Sequence, residues 1–190
     1  MKRLNKYISD SGLCSRREAD VLIQQGRVRV NDEIPELGCK VTEQDRVLVD
    51  NKLISAAQSN RINRVYLAYN KPVGITCTTE RQVKGNIVDA VAYHERIFPI
   101  GRLDKPSDGL ILLTNDGDIV NKILRAENAH EKEYRVVVDR PITAMFIDKM
   151  QSGVPVLGQV TKPCKVVRAG KCSFDITLTQ GLNRQIRRMC

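Results

Sequence analysis

The stretch Leu53-Ile54-Ser55-Ala56-Ala57-Gln58-Ser59-Asn60-Arg61-Ile62-Asn63-Arg64 constrains the fold more than any other part of this 190-residue chain. It is polar, carries no sustained hydrophobic period and has little to bury, so it reads as a mobile linker. A chain interrupted here must build one core before it and another after it, and its length suits two small domains. The expected organisation is a first module over residues 1–52, a linker over 53–64 and a second module over 65–190.

Within the first module, Leu4, Tyr7 and Ile8 fall on one helical face, and Ser11-Gly12 ends that short helix. Ser15-Arg16-Arg17-Glu18 is a capping box: the Ser15 hydroxyl accepts from a helical N–H and Glu18 reaches back to the cap. Ala19, Leu22 and Ile23 continue at helical spacing as far as Gly26, which suits the left-handed residue that follows a helix. Arg27-Val28-Arg29-Val30 alternates as a strand does and turns at Asn31-Asp32, with Val47-Leu48-Val49 as the closing strand. This helix pair on a small sheet carries Arg3, Lys6, Arg16, Arg17, Arg27 and Arg29. Between Met1 and Val30 there are seven Lys/Arg against three Asp/Glu. Arg16 and Arg17 also occupy the first turn of a helix, where the macrodipole disfavours cations. A solvated face would explain cations in general. Cations set against the dipole point to an anion.

The second module opens with the strand Val65-Tyr66-Leu67-Ala68-Tyr69, broken at the proline–glycine turn Asn70-Lys71-Pro72-Val73-Gly74. A helix over Asn86–Tyr93 places Ile87, Val88 and Val91 on one side, and the apolar run Leu110–Leu113 reads as a buried strand. Asp116-Gly117 then turns into a helix ending near Arg125. Further strands are expected at Tyr134–Val138, Val154–Gly158, Cys164–Arg168 and Ser173–Leu178. One helix is expected across Ala144–Gln151, and the first turns of another at Arg184–Met189. Strands outnumber helices and several follow one another directly, so the class is α+β with a mostly antiparallel sheet.

The formal net charge of +9 suits a polyanionic partner, although basic surfaces without a nucleic-acid role also exist. No apolar run approaches the roughly 20 residues of a membrane helix. The basic start Met1-Lys2-Arg3-Leu4-Asn5-Lys6 is not followed by the apolar core of a signal peptide. A cytoplasmic monomer without membrane attachment is the expectation. Cys14, Cys39, Cys77, Cys164, Cys172 and Cys190 form no Cys-x-x-Cys pair, and His94 and His130 lie far from any cysteine cluster. Zinc ligation is unsupported, no metal is expected, and buried, reduced thiols are the better reading.

The most specific run is Phe98-Pro99-Ile100-Gly101-Arg102-Leu103-Asp104-Lys105-Pro106-Ser107-Asp108-Gly109-Leu110-Ile111-Leu112-Leu113-Thr114-Asn115-Asp116-Gly117. Asp104 follows a glycine-bearing turn and precedes a second turn and an apolar strand. Carboxylates are rarely buried unless paired, so one in this setting is matched by a cation or used chemically. The run resembles, nearly residue for residue, the catalytic motif of the ribosomal RNA pseudouridine synthases of the RsuA/RluF group. Gln180-Gly181-Leu182-Asn183-Arg184-Gln185-Ile186-Arg187-Arg188-Met189 is similar to that family's late strand-to-helix motif, and Lys132-Glu133-Tyr134 to its Lys-x-Tyr motif. Arg3-Leu4, Ser15-Arg16-Arg17-Glu18-Ala19 and Gly26-Arg27-Val28-Arg29-Val30-Asn31 resemble the RNA-binding domain first seen in ribosomal protein S-four.

These resemblances imply an isomerase that turns uridine into pseudouridine in structured RNA: large-subunit ribosomal RNA first, transfer RNA as a further substrate. The base leaves the ribose at N1, rotates and rejoins through C5. No atoms are gained, so no external cofactor is required. The family assigns Asp104 as the catalytic carboxylate, acting as nucleophile or base, and Arg187 as the cation that holds it charged in a desolvated pocket. It assigns Tyr134 to stacking on the target base, with its hydroxyl available for proton transfer. Read without the family, Asp104 and Arg187 are equally a plain ion pair, and Tyr134 a core ring with its hydroxyl at the rim.

A base inside a helix must be flipped out to be reached. Arg102 is implied in displacing it or in binding backbone, and Arg184 joins Arg3, Lys6, Arg16, Arg17, Arg27 and Arg29 as an RNA-binding cation. Pro106 departs from the family pattern, which has Asp or Asn there; proline removes a donor and fixes φ at about −65° without touching the carboxylate. Family members continue past the position of Cys190 into a helix and further strands. The expectation is therefore an incomplete catalytic domain, a short final helix with its apolar face unmatched, and weak or absent turnover by this chain alone. The alternative function is RNA binding without turnover.

Overall fold

The structure, a computed structural model, describes residues 1–54, 64–124 and 129–190. The expected linker lies outside the described residues from 55 to 63, as does the helix end expected near Arg125.

In the first module the helices Leu4–Asp10 and Arg16–Gln24 share one core with a three-stranded antiparallel sheet. Leu4, Tyr7, Ile8, Ala19 and Ile23 meet Val28, Val41, Val47, Val49 and Ile54 in that core. Both halves of the capping box form: the Glu18 N–H donates to Ser15 Oγ at 3.1 Å, and the Ser15 N–H donates to the Glu18 carboxylate at 2.6 Å. Those bonds hold the Glu18 carboxyl below its ordinary range. The hairpin after Val30 is made by Asn31 and Asp32, both at positive φ, the conformation of a tight primed turn.

A second such turn at Asp50-Asn51 adds a strand the sequence reading placed in the linker. Val47–Val49 is therefore the central strand, between Val28–Val30 and Lys52–Ile54, and not the closing one. Lys2–Arg3 and Lys40–Val41 form a further short antiparallel pair.

The second module is α+β, as expected, with two three-stranded antiparallel sheets and the small hairpin Pro155–Val156/Gln159–Val160. The first sheet places Gly109–Thr114 between Tyr66–Lys71 and Phe98–Ile100. Ile111 and Leu113 from its central strand pack with Cys77, Ile87 and Ile97. The second sheet places Ser173–Leu178 between Lys132–Val137 and Lys165–Arg168. Phe174, Ile176 and Leu178 pack there with Ile142, Met150, Val156, Val166 and Met189. The helices are Ile87–Val91, Gly117–Leu124, Ala144–Ser152 and Gln185–Met189.

Several expectations need correction. The Leu110–Leu113 run is only half buried: Leu110 is 69% and Leu112 43% exposed, while Ile111 and Leu113 are in the core. A strand with one solvated face alternates with period two, and four apolar residues in a row conceal that period. Phe98–Ile100 is a strand where the sequence suggested none, and the first strand runs on through Lys71. Val154–Gly158 is not one strand, because Leu157 and Gly158, both at positive φ, fold it into the small hairpin. The final helix does not leave its apolar face unmatched, since Ile186 and Met189 pack on the second core, as does Leu182 before it. Of the free cysteines Cys77 is buried, Cys190 is exposed and the other four are half-buried, so buried thiols describe Cys77 alone. Among the described residues no helix is long and apolar enough to cross a membrane.

Candidate active site

Asp104 sits on the loop that leads from Phe98–Ile100 to the central strand Gly109–Thr114. Three main-chain contacts fix that loop. The Leu103 N–H donates to Cys77 Sγ at 3.4 Å, the Ser107 N–H donates to Asp104 O at 3.0 Å, and the Gly74 N–H donates to Lys105 O at 2.8 Å. Gly74 belongs to the turn after Lys71 and adopts φ +93°, a region open to glycine.

Lys71 itself is 0% exposed, and its ammonium donates to Pro72 O at 2.9 Å and to Ile75 O at 3.0 Å. A buried ammonium must be hydrogen-bonded to be tolerated. Here the turn wraps around it, and the same turn holds the residue that follows Asp104. Neither Lys71 nor Cys77 was identified from sequence; a lysine is ordinarily expected at the surface, and no spacing rule marks this one.

The Asp104 side chain is 33% exposed, so the expected desolvated pocket is instead a half-open one. Its Oδ2 lies 3.5 Å from Arg187 Nε and 3.9 Å from Arg184 Nε. Asp104 lies on the loop between two strands, outside the sheet itself, and its side chain stays partly open to solvent. Two guanidinium groups lie against one carboxylate oxygen and restrict where it can point. Half-exposed pairs of this kind contribute about 0–1 kcal/mol to stability, so the arrangement orients the carboxylate more than it holds the fold.

Arg187 lies on the helix Gln185–Met189, and Arg184 immediately precedes that helix in the left-handed region, at φ 50° and ψ 40°. The Leu182 N–H donates to the buried Gln185 side chain at 2.9 Å, and the Arg188 guanidinium bonds Asn183 O at 3.0 Å and Asn183 Oδ1 at 3.3 Å. Arg184 was expected among RNA-binding cations. Its approach to Asp104 depends on this turn, which no sequence pattern announced.

Tyr134 lies on Lys132–Val137 opposite Ile176 and is 41% exposed. Burial of part of the ring pushes its hydroxyl pKa up. Among the described residues no hydrogen bond joins Tyr134 to Asp104. Arg102 is exposed and forms no ion pair among the described residues.

The first-module cations are not equivalent. Arg3 and Arg16 line a surface pocket of about 400 Å³ with Met1, Lys2, Asn5 and Lys6. Arg3, Arg16 and Arg17 are exposed and without an ion pair among the described residues. Arg27 instead grips Asp50 through two bonds, at 2.7 and 2.6 Å. Arg29 donates to Asp32 O at 3.1 Å. Lys6 reaches Asp118 of the second module at 2.5 Å, a bond that lowers the Asp118 carboxyl pKa. A second link between the modules runs from the Arg96 guanidinium to Cys14 O at 2.8 Å.

Residues 65–190 match the family model for RNA pseudouridylate synthase, and residues 2–47 match that for the S4 domain. The dual-specificity RNA pseudouridine synthase RluF of Salmonella typhi is 59% identical over 188 residues, covering 99% of this chain and 64% of that protein. The ribosomal large subunit pseudouridine synthase B of Bacillus subtilis (strain 168) is 33% identical, covering 100% of this chain and 79% of its own length. A crystal structure of a pseudouridylate synthase superposes with a TM-score of 0.62 at 25% identity, covering 100% of this chain and 82% of that one. The chain thus spans under two thirds of the length of the Salmonella typhi relative.

Proposed function

We propose that this chain, which belongs to the RNA pseudouridylate synthase family, isomerises uridine to pseudouridine in structured RNA, with large-subunit ribosomal RNA as its main substrate. The observation that carries this reading is the Asp104 carboxylate, half open to solvent and held at one oxygen by Arg187 and Arg184. Asp104 acts at the flipped uridine as nucleophile or base. The N1–ribose bond breaks, the base turns, and the ribose carbon bonds to C5. The proton lost from C5 is balanced by one gained at N1, so the reaction needs no cofactor.

Arg187 holds the carboxylate in position. Tyr134 stacks on the base, and its hydroxyl, kept protonated by partial burial, serves as a relay. Arg102, exposed two residues before Asp104, fills the space of the displaced base. Arg3, Arg16 and Arg17 hold phosphates, with Lys6, Arg27 and Arg29 available once they exchange their protein partners. Transfer RNA is a second substrate class, consistent with the dual specificity in the name of the Salmonella typhi relative. The enzyme works as a cytoplasmic monomer.

The test is incubation of the protein with transcribed, unmodified large-subunit ribosomal RNA, followed by chemical mapping of pseudouridine. New pseudouridine at one or a few positions is expected. RNA that is bound and never modified would make this an RNA-binding protein without turnover.

A further inference from the structure

Two guanidinium groups meet one carboxylate oxygen at the rim of the second module. One of them neutralises Asp104, which leaves one positive charge in excess at a place open to solvent. The two arginines are also held differently. Arg187 stands within a helix and is the nearer, at 3.5 Å. Arg184, at 3.9 Å, occupies the left-handed region, which costs a residue other than glycine about 1–2 kcal/mol. Backbone strain retained beside a reactive group is a reason to look for a role in its side chain. The bonds from Leu182 to Gln185 and from Arg188 to Asn183 keep that turn in place.

We infer that Arg184 is the phosphate-binding half of this clasp. When RNA enters, its guanidinium passes from Asp104 to the phosphodiester beside the flipped uridine, while Arg187 stays on the carboxylate. The inference rests on Asp104 being the catalytic carboxylate. A guanidinium fork bonds phosphate oxygens well, so the exchange trades a loose 3.9 Å ion pair for a charge-assisted hydrogen bond. It also has a chemical consequence. Losing one of its two cations uncovers the Asp104 oxygen that both arginines approach, at the moment the uridine is in place. Substrate binding and uncovering of the carboxylate are thereby one event.

Arg184→Gly separates this role from a structural one, because glycine is at ease at positive φ. Melting temperature, RNA affinity against salt, and steady-state turnover on transcribed large-subunit ribosomal RNA are to be measured for wild type, Arg184→Gly, Arg184→Lys and Arg187→Lys. Arg184→Gly should melt at or above the wild-type temperature and raise KM about tenfold, the loss of one charge-assisted contact. Its log–log salt slope should fall by about 0.7–0.9, one phosphate contact. Its kcat should fall far less than that of Arg187→Lys, and Arg184→Lys should restore the slope. An unchanged KM and slope with kcat reduced as in Arg187→Lys would make Arg184 a second carboxylate partner and overturn the inference. So would a clear drop in melting temperature. The salt slope is read again in an Asp104→Asn background, where turnover plays no part. A wild-type chain that makes no pseudouridine would count against the proposed activity of this chain, and the salt slope of Arg184→Gly would still decide the phosphate contact.

Discussion

In the first module the cations line an open surface, and in the second two of them converge on one carboxylate oxygen. Arg16 and Arg17 stand exposed in the first turn of a helix, and Arg27 is tied off by Asp50. Arg184 and Arg187 instead come together on one oxygen of Asp104. The cores differ in the same sense. The first module closes around a single cluster, with Leu4, Ile8 and Val28 at its centre. The second has two clusters, and the site bridges them: Leu103, beside Asp104, packs on the Cys77–Ile87–Leu113 cluster, while Ile186 and Met189, beside Arg187, belong with Phe174 and Ile176. A surface that holds phosphates tolerates small shifts, because each contact is separate and screened by salt. A clasp spanning two clusters does not, since a displacement of about 1 Å can cost ~100-fold in rate. Damage to the first module should therefore appear as graded loss of affinity, and damage between the clusters as loss of rate.

The largest effect expected is at Asp104. Asp104→Asn keeps the shape and removes the charge, so pseudouridine formation should drop to background while filter binding of RNA survives; product from this variant would break the comparison at its centre. Arg187→Lys comes next. It keeps the charge and loses the fork, so saturating turnover should fall about 100-fold with affinity held; equal losses in both would mean that Arg187 binds RNA as well.

Lys71→Met would strip Pro72 O and Ile75 O of their donor and loosen the turn that holds Lys105. Denaturant unfolding should show a loss of about 1–3 kcal/mol, with turnover reduced more than RNA affinity. An unfolding midpoint equal to wild type would show that the buried ammonium does not organise this turn.

The smallest effect is acid-dependent and lies between the modules. The Lys6 hydrogen bond, then the charges of Lys6, Lys2 and Arg16, outweigh burial and lower the Asp118 carboxyl below its ordinary 3.8. A depressed folded-state pKa gives stability that is present above the ordinary value and lost as pH falls through the folded one. An NMR titration of the Asp118 side chain should give a midpoint under 3.8 that rises in Lys6→Gln. A midpoint unmoved by that change would mean the contact does not form in solution.

What the sequence made legible follows the same division. The capping box at Ser15 and the turn at Asn31-Asp32 are settled by neighbouring residues, so they could be read directly. The strand Phe98–Ile100 was hidden by Pro99, which is tolerated because this strand is at the edge of its sheet. Lys52–Ile54 was lost to the linker because its register depends on pairing with Val47–Val49 and not on its own composition. Asp104 and Arg187 could be paired from motifs, through family resemblance. The second cation at Asp104 could not, because it depends on one left-handed residue, and the burial of Lys71 depends on a turn folding back over it.

The division of labour is tested most directly by single-turnover pseudouridine formation across a range of ribosomal RNA concentrations. Wild type, Asp104→Asn and a variant with Arg3, Arg16 and Arg17 all changed to Gln are to be compared. The triple variant should need much more RNA to reach its plateau and flatten the salt dependence, with a plateau rate far closer to wild type than its affinity. Asp104→Asn should bind as wild type and show no plateau at all. A triple variant with unchanged half-saturation and a collapsed plateau, or a measurable plateau in Asp104→Asn, would contradict the separation of binding from chemistry.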